Sequence, residues 1–376
     1  MQNKLEKAYR RLIFEESSGI SCSLLKLLLT PFCWIYSLCI SVRNLAYDLK
    51  ILKPQKVNIP VVVSVGNIAV GGTGKTPFTI LLAKEFVSSF SVALLSRGYK
   101  SQAEHLNTPL LLNFENRQHY SAKFCGDEPC LLAENLPKAL IFVGKNRKKS
   151  AEIASKHGVE LIILDDGMQH RQLSRDFDVI IIDANNPFEK GSLLPLGLLR
   201  ESPKSLKRGD LIVLNNIQNT EQFQQISGQV LKYTNAPIVG TRARFLGIKN
   251  LEGKPVQDLF GKKVGIFCGL GNPKNFVNTI EKLNIEIVGE FFLGDHDTLD
   301  ENSLKKFALT CKEKKAEYIL CTEKDKVKLK KNINILLPLA WVKIELEVCE
   351  GVLYWKEFVK KTTNLVNSKN TMCLKG

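Results

Sequence analysis

Glycines at 71, 72 and 74, followed at once by Lys75 and Thr76, make GNIAVGGTGKTP the most chemically suggestive segment of this sequence. Glycine has no Cβ, so successive backbone N–H groups can converge on phosphate oxygens. The Lys75 ammonium would then reach the β/γ-phosphates, and the Thr76 hydroxyl would bind Mg²⁺. The strict pattern has one more glycine five residues before Gly74, where this chain carries Ala69. The setting argues for a phosphate site over a mere tight turn. The apolar run IPVVVSVG (59–66) reads as a buried strand, and FTILLAKEFV, after the loop, is apolar at helical spacing. Gly71, Gly72, Thr73, Gly74, Lys75 and Thr76 are therefore expected around a nucleotide's phosphates.

A second cluster lies at the end of LIILDD (161–166). An apolar strand closing on aspartate is the arrangement in which a carboxylate holds Mg²⁺ directly or through water. Paired like charges gain nothing from packing, so Asp165 and Asp166 are read as metal-directed. Gln169 and His170 follow, and they fit a supporting role behind the metal or a polar helix start equally well. Arg97, after SVALLS (91–96), is placed for a phosphate contact, with an ordinary surface arginine as the alternative. Three other groups are ordinary on composition alone. Asp127 and Glu128 in CGDEP resemble an acidic helix N-terminus, Arg200 and Glu201 in LLRESP a charge pair, and His296 between two aspartates a solvated loop residue.

The elements that must position these groups form an alternating pattern. ALIFVG (139–144), VIIIDA (179–184) and LIVLNN (211–216) are further apolar strands, with helical segments such as NRKKSAEIASKHG between some of them. That alternation predicts an α/β fold: a P-loop kinase-type parallel sheet with ligands at the carboxyl ends of its strands. After residue 216 the pattern pauses, and residues 239–262 read as an extended β-ribbon linker. KVGIFCGLGNP then opens a second, smaller α/β domain. GLGNP is no dinucleotide fingerprint, because position 274 is Lys274. The expected division is 1–52, 53–238, 239–262 and 263–376.

Residues 1–16 place Leu5, Ala8, Tyr9, Leu12 and Ile13 at helical spacing, and Leu27 to Val42 carry no charge. Those sixteen residues fall short of the ~20 that a spanning helix needs, and Pro31 lies among them. The segment is expected to lie in or dip into a bilayer, with Trp34 and Tyr36 at headgroup level and Lys26, Arg43 and Lys50 toward anionic lipid. A helical hairpin packed on the catalytic domain is the alternative.

The chain has 376 residues, enough for two cores. Its ten cysteines are scattered without a CxxC, which suits a reduced compartment better than a disulfide framework. A net charge of +15 suggests a polyanionic partner. No RNP, helix-turn-helix or zinc motif points to nucleic acid. A GTPase-type switch would show N/TKxD after LIVL, where this chain has Asn215–Asn216–Ile217–Gln218.

Taken in order, VGNIAVGGTGKTP, LSRGY, GDEP, LDDGMQH, GSLLPLGLLRES, GLGNP, GDHD and TEKD resemble the tetraacyldisaccharide 4′-kinases of lipid A biosynthesis. The resemblance implies a kinase that uses ATP and Mg²⁺ to phosphorylate the 4′-hydroxyl of an acylated glucosamine disaccharide 1-phosphate. It implies that Asp127 is a catalytic base acting with His296, and that Arg200 and Glu201 lie near the nucleotide. Arg97, Tyr99, Glu128 and Gln169 become the acceptor contacts. The cytoplasmic face of the inner membrane is the expected location, with the anionic membrane surface as a partner and no protein partner.

Overall fold

The computed structural model describes residues 20–59, 61–270, 273–294, 300–329, 333 and 335–373. The expected helix over residues 1–16 lies outside them, as does His296.

The apolar runs fold as strands β1 (Val61–Asn67), β2 (Val92–Ser96), β4 (Leu140–Val143), β5 (Leu161–Asp165), β6 (Phe177–Asp183) and β7 (Leu211–Asn215). They pair in parallel in the order β7-β6-β1-β5-β2-β4, and short β3 (Leu110–Leu112) closes the edge antiparallel to β4. Every residue of β1, β2, β5 and β7 is buried. Helices on both faces account for this, and it is why these strands read as continuous apolar runs without alternation.

β8 (Ile238–Asn250) starts parallel to β7 and then leaves the sheet body to pair antiparallel with β13 (Leu339–Glu350). Beyond that ribbon, β10 (Lys263–Cys268), β11 (Glu286–Phe292) and β12 (Tyr318–Thr322) form a second parallel set, with β12 also parallel to β13. Two-residue β9 (Pro255–Val256) adds to β8, so one 13-stranded sheet runs through both halves. The fold is α/β, with a P-loop domain and a second, smaller α/β domain, as the alternation predicted.

The helices are α1 (Ile20–Asp48), α2 (Lys75–Lys84), α3 (Ala122–Cys125), α4 (Asp127–Asn135), α5 (Arg147–Lys156), α6 (Thr220–Val230), α7 (Lys274–Glu281), α8 (Glu301–Glu313), α9 (Glu323–Lys326) and α10 (Val352–Cys373). The end of the chain departs from the expected division, which placed 263–376 together. α10 returns to the P-loop domain, where Trp355 meets Phe78 edge-on at 5.7 Å and Phe358 meets Phe177 at 5.4 Å. Trp355, Phe358 and Val366 join the core beneath β1 and β6. An amphipathic helix packs on whatever apolar surface lies within reach, and sequence order does not specify which.

α1 runs unbroken through Pro31, and its segment Ser23–Asp48 is long and apolar enough to cross a membrane by length and composition. One stripe at helical spacing is half-buried: Cys33, Tyr36, Ile40, Asn44 and Tyr47. Leu27, Trp34, Leu38 and Leu45, on the remaining surface, are all exposed. Two expected lipid contacts belong to the docked side. Tyr36 donates its hydroxyl to the Arg200 carbonyl at 3.0 Å, and Arg43 lies 3.9 Å from Glu201. Their polar ends find partners in the protein.

Candidate active site

The glycine-rich loop closes onto α2 at Gly74, whose φ of +89° lies in the left-handed region. A Cβ there would also lie 2.1 Å from Asn215 Nδ2. Only glycine satisfies both constraints. Asn215, at the end of β7, donates to the Thr73 carbonyl at 3.0 Å and accepts from Thr241 Oγ1 at 3.0 Å. Asn67, ending β1, donates to Thr73 Oγ1 at 2.8 Å. Two strand ends thus fix the loop in place, and the Thr73 hydroxyl is engaged within it.

Lys75 and Thr76 open α2 and face a cavity of about 630 Å³ between the two halves of the molecule. Asp165 and Asp166 reach the same cavity from β5, Arg97 and Tyr99 from the end of β2, and Glu128 from α4. The opposite wall comes from beyond the ribbon and includes Leu270, Phe276, Thr279, Thr322 and Lys324.

The two aspartates differ sharply. Asp166 has a left-handed backbone (φ 54°) and lies half-buried between two cations, Arg200 at 2.9 Å and Lys75 at 3.7 Å. Burial alone would raise its pKa, but Lys75 and Arg200 outweigh burial and hold it down at about 2. Asp165 is 2% exposed, and Thr79 Oγ1 donates to it over a long 3.4 Å. Burial first, then Glu128 and Asp166, push it up to about 7. A buried carboxylate with so little compensation suits a cation. Together with the Thr76 hydroxyl it offers the hard oxygen donors that Mg²⁺ prefers, and Mg²⁺ keeps several of its own waters. Among the described residues no group of three His, Cys, Asp or Glu is placed to hold a metal.

Asp127 begins α4 directly after Gly126, whose φ is +96°. It is 7% exposed, and its Oδ1 accepts from the Glu128 N–H at 3.0 Å. Cys125 and Cys130, both buried, meet beneath the turn with their sulfurs 2.7 Å apart. Lys324 and Lys328, from beyond the ribbon, place their ammonium groups 3.6 and 3.8 Å from Asp127 Oδ2.

Two expected contacts lie elsewhere. Glu201 has no exposed surface and does not line the cavity. It pairs with Arg208 at 2.9 Å and accepts from Asn44 of α1 at 2.8 Å and from Ser205 at 3.0 Å. Its charge is spent anchoring α1. Gln169 also sits behind the cavity, donating to the Asn67 carbonyl at 2.9 Å and to Glu201 at 3.1 Å. His170 is half-buried, and its Nε2 has no protein partner; burial and the nearby Arg147 and Arg175 push the ring's pKa down to about 4.

Arg147 was missed in the sequence. It lines the cavity while 4% exposed, donates to the Asp165 carbonyl at 2.8 Å, and leaves its Nε without a partner. Burial lowers its pKa to about 10, which still leaves a full charge at neutral pH. In NRKKS it looks like any basic residue opening a helix.

Comparison with known proteins converges on one family. The family model for tetraacyldisaccharide-1-P 4′-kinase matches residues 25–362. The chain is 34% identical over 348 residues to the tetraacyldisaccharide 4′-kinase of Halothermothrix orenii, covering 88% of this chain and 90% of that one. It is 36% identical over 294 residues to the enzyme of that name from Chlamydia pneumoniae, covering 76% and 78%. Among solved structures, the "apo" form of LpxK from Aquifex aeolicus in complex with ATP superposes with a TM-score of 0.71 at 30% identity, covering 91% of this chain and 99% of that one.

Proposed function

Because the chain belongs to the tetraacyldisaccharide-1-P 4′-kinase family, we propose specific roles for its residues in that family's reaction. The protein is an ATP-dependent kinase that phosphorylates the 4′-hydroxyl of a tetraacyl disaccharide 1-phosphate in lipid A biosynthesis, with Mg²⁺. The observation that carries the nucleotide and metal assignments is a single cavity, whose lining includes Glu128 but not its neighbour Asp127. The cavity joins the phosphate loop, both β5 aspartates and the wall beyond the ribbon.

In transfer, the 4′-oxygen forms a bond to the γ-phosphorus while the bond from that phosphorus to the β,γ-bridging oxygen breaks, and ADP leaves. The work of the protein is positioning and charge neutralisation. Gly71, Gly72, Thr73 and Gly74 present backbone N–H groups to the phosphates. Lys75 gives up part of its contact with Asp166 to the β/γ-phosphates, and Arg147 and Arg200 face the same charge. Thr76 and Asp165 would hold Mg²⁺, which supplies further neutralisation when bound. Asp127 takes the proton of the 4′-hydroxyl, paired with His296, which lies outside the described residues. Arg97, Tyr99 and Glu128 line the acceptor side. Glu201 and Gln169 act behind the site, holding α1 and the end of β1 in place.

The ribbon of β8 and β13 would act as the hinge between a P-loop domain ending near residue 238 and a smaller domain starting near residue 263. Closure about it excludes water from the phosphoryl group. α1 lies on the inner membrane at its cytoplasmic face, with its docked stripe on the protein and its exposed leucines in the acyl boundary. A helix surrounded by lipid on all sides would not keep a polar stripe for the enzyme. Replacing His296 and Asp127 with alanine, singly and together, tests the pair in the lipid phosphorylation assay. Losses that multiply as independent effects would contradict shared proton transfer, whereas a double variant no worse than the singles supports it.

A further inference from the structure

Three of the four residues of α9 tie the second domain, side chain by side chain, to the helix that carries Asp127. Lys324 stands 3.6 Å from Asp127 at the N-terminus of α4. Lys326 donates to Glu134 near the other end of α4 at 2.7 Å. Glu134 also pairs with Arg117 at 3.3 Å, whose Nη2 donates to the Val327 carbonyl at 3.4 Å. Asn135, the last residue of α4, donates to Glu323 at 3.1 Å, and Lys343 of β13 bridges the two, at 2.5 Å from Asn135 and 2.8 Å from Glu323.

The remaining member, Asp325, reaches its own domain's strand ends and pairs with Lys328 at 3.3 Å, whose ammonium also lies 3.8 Å from Asp127. Asp325 is 1% exposed and accepts from the Gly269 N–H at 3.0 Å and from the Thr322 hydroxyl at 2.6 Å. α9 is thus fixed to the strand ends of its own domain through Asp325 and to both ends of α4 through its other three residues. Exposed ion pairs contribute little. These side chains are largely shielded, Lys324 being 16% and Lys326 23% exposed, so position and charge matter more here.

We propose that α9 is a positioning clamp for phosphoryl transfer: by holding α4 at both ends it sets Asp127 at the reaction centre when the two domains are docked. This rests on the reading of Asp127 as the base. Lys324 and Lys326 are positioning residues, and Lys326 acts at a distance, since the helix puts Glu134 about 10 Å along the axis from Asp127. Without the clamp the docked state loosens, and water competes with the acceptor for the γ-phosphoryl group.

The test uses the full-length enzyme with labelled ATP and the tetraacyl disaccharide 1-phosphate in mixed micelles. Labelled lipid and labelled free phosphate are counted in the same reaction, so their ratio does not depend on how much of the enzyme is folded. Lys326→Met should lower kcat for lipid phosphorylation about tenfold, raise the ratio of free phosphate to phosphorylated lipid about threefold or more, and leave KM for ATP within about twofold. Lys326→Arg should restore both values. A wild-type ratio in Lys326→Met overturns the clamp, and so does a lower rate at an unchanged ratio, which reports only lost folded enzyme. Asp127→Asn is run in parallel. If it still phosphorylates lipid, the base reading fails. If it is inactive while Lys326→Met behaves as wild type, the clamp alone fails.

Discussion

Arg200 donates one Nη1 to both oxygens of Asp166, each at 2.9 Å, while Lys75 of the phosphate loop stands 3.7 Å from the same carboxylate. Two cations thus converge on one aspartate, and its neighbour Asp165 has no ion pair in the structure among the described residues. The proposed division of labour rests on this: Asp166 would hold the cations in readiness for the nucleotide, leaving Asp165 for the metal.

Arg200→Met should therefore impair nucleotide use more than folding. We expect kcat/KM for ATP to fall about 10- to 100-fold, because a charge directed at the developing phosphate is lost. Circular dichroism should show wild-type helix content. Steady-state kinetics that match wild type would remove Arg200 from the site.

Asp165 carries a pH signature. Its folded pKa, raised to about 7, means that the native state binds this proton more tightly than the unfolded chain does. The metal-free enzyme accordingly loses stability as pH rises from about 4 toward 7. Asp165→Asn removes that penalty. Without Mg²⁺ its Tm should exceed the wild-type value by about 2–4 °C at pH 8 and barely differ at pH 4. Lipid phosphorylation should fall by about 100-fold or more in the same variant. Calorimetry at the two pH values checks the sign; a variant less stable than wild type at pH 8 would contradict the account.

Glu201 separates anchoring from nucleotide binding. Glu201→Gln leaves Arg208 buried beside a neutral amide, at a cost of about 3 kcal/mol in stability. ATP affinity measured by titration calorimetry should stay within about twofold, since the side chain lies behind the cavity. Loss of ATP affinity without loss of stability would return Glu201 to the nucleotide.

The exposed surface of α1 predicts a membrane phenotype that is independent of catalysis. Changing Leu27, Leu38 and Leu45 together to Asn should cut co-sedimentation with anionic phospholipid vesicles about tenfold or more, given the ~25 cal/mol per Å² that apolar burial provides. Binding of ATP by the same variant should match wild type. Undiminished vesicle binding would place the lipid contact elsewhere.

How much of this was legible in the sequence depended on how local each feature is. The phosphate loop and the β5 aspartates could be read directly, because their chemistry is held within a few residues and the flanking apolar runs declare strand and helix. Arg147 could not, since its burial arises only when α5 packs beside β5 and the Asp165 carbonyl. Glu201 was misplaced for a related reason. It is adjacent to Arg200 in sequence, yet successive residues point to opposite sides, and its partners come from α1 and from Arg208. α10 read as part of the smaller domain because an amphipathic pattern names a buried face and not the surface that buries it. The clamp formed by α9 depends on residues about 190 positions apart, and TEKD shows none of that by itself.

The phosphate loop is proposed to deliver the γ-phosphoryl group of ATP to a lipid hydroxyl. Purified enzyme incubated with γ-labelled ATP, Mg²⁺ and the tetraacyl disaccharide 1-phosphate should place label on the lipid at the 4′-position. Lys75→Ala should lower that transfer about 1000-fold, because one of the charges set against the transferring phosphoryl group is gone. Label appearing only in free phosphate, or lipid labelling undiminished in Lys75→Ala, would contradict the account.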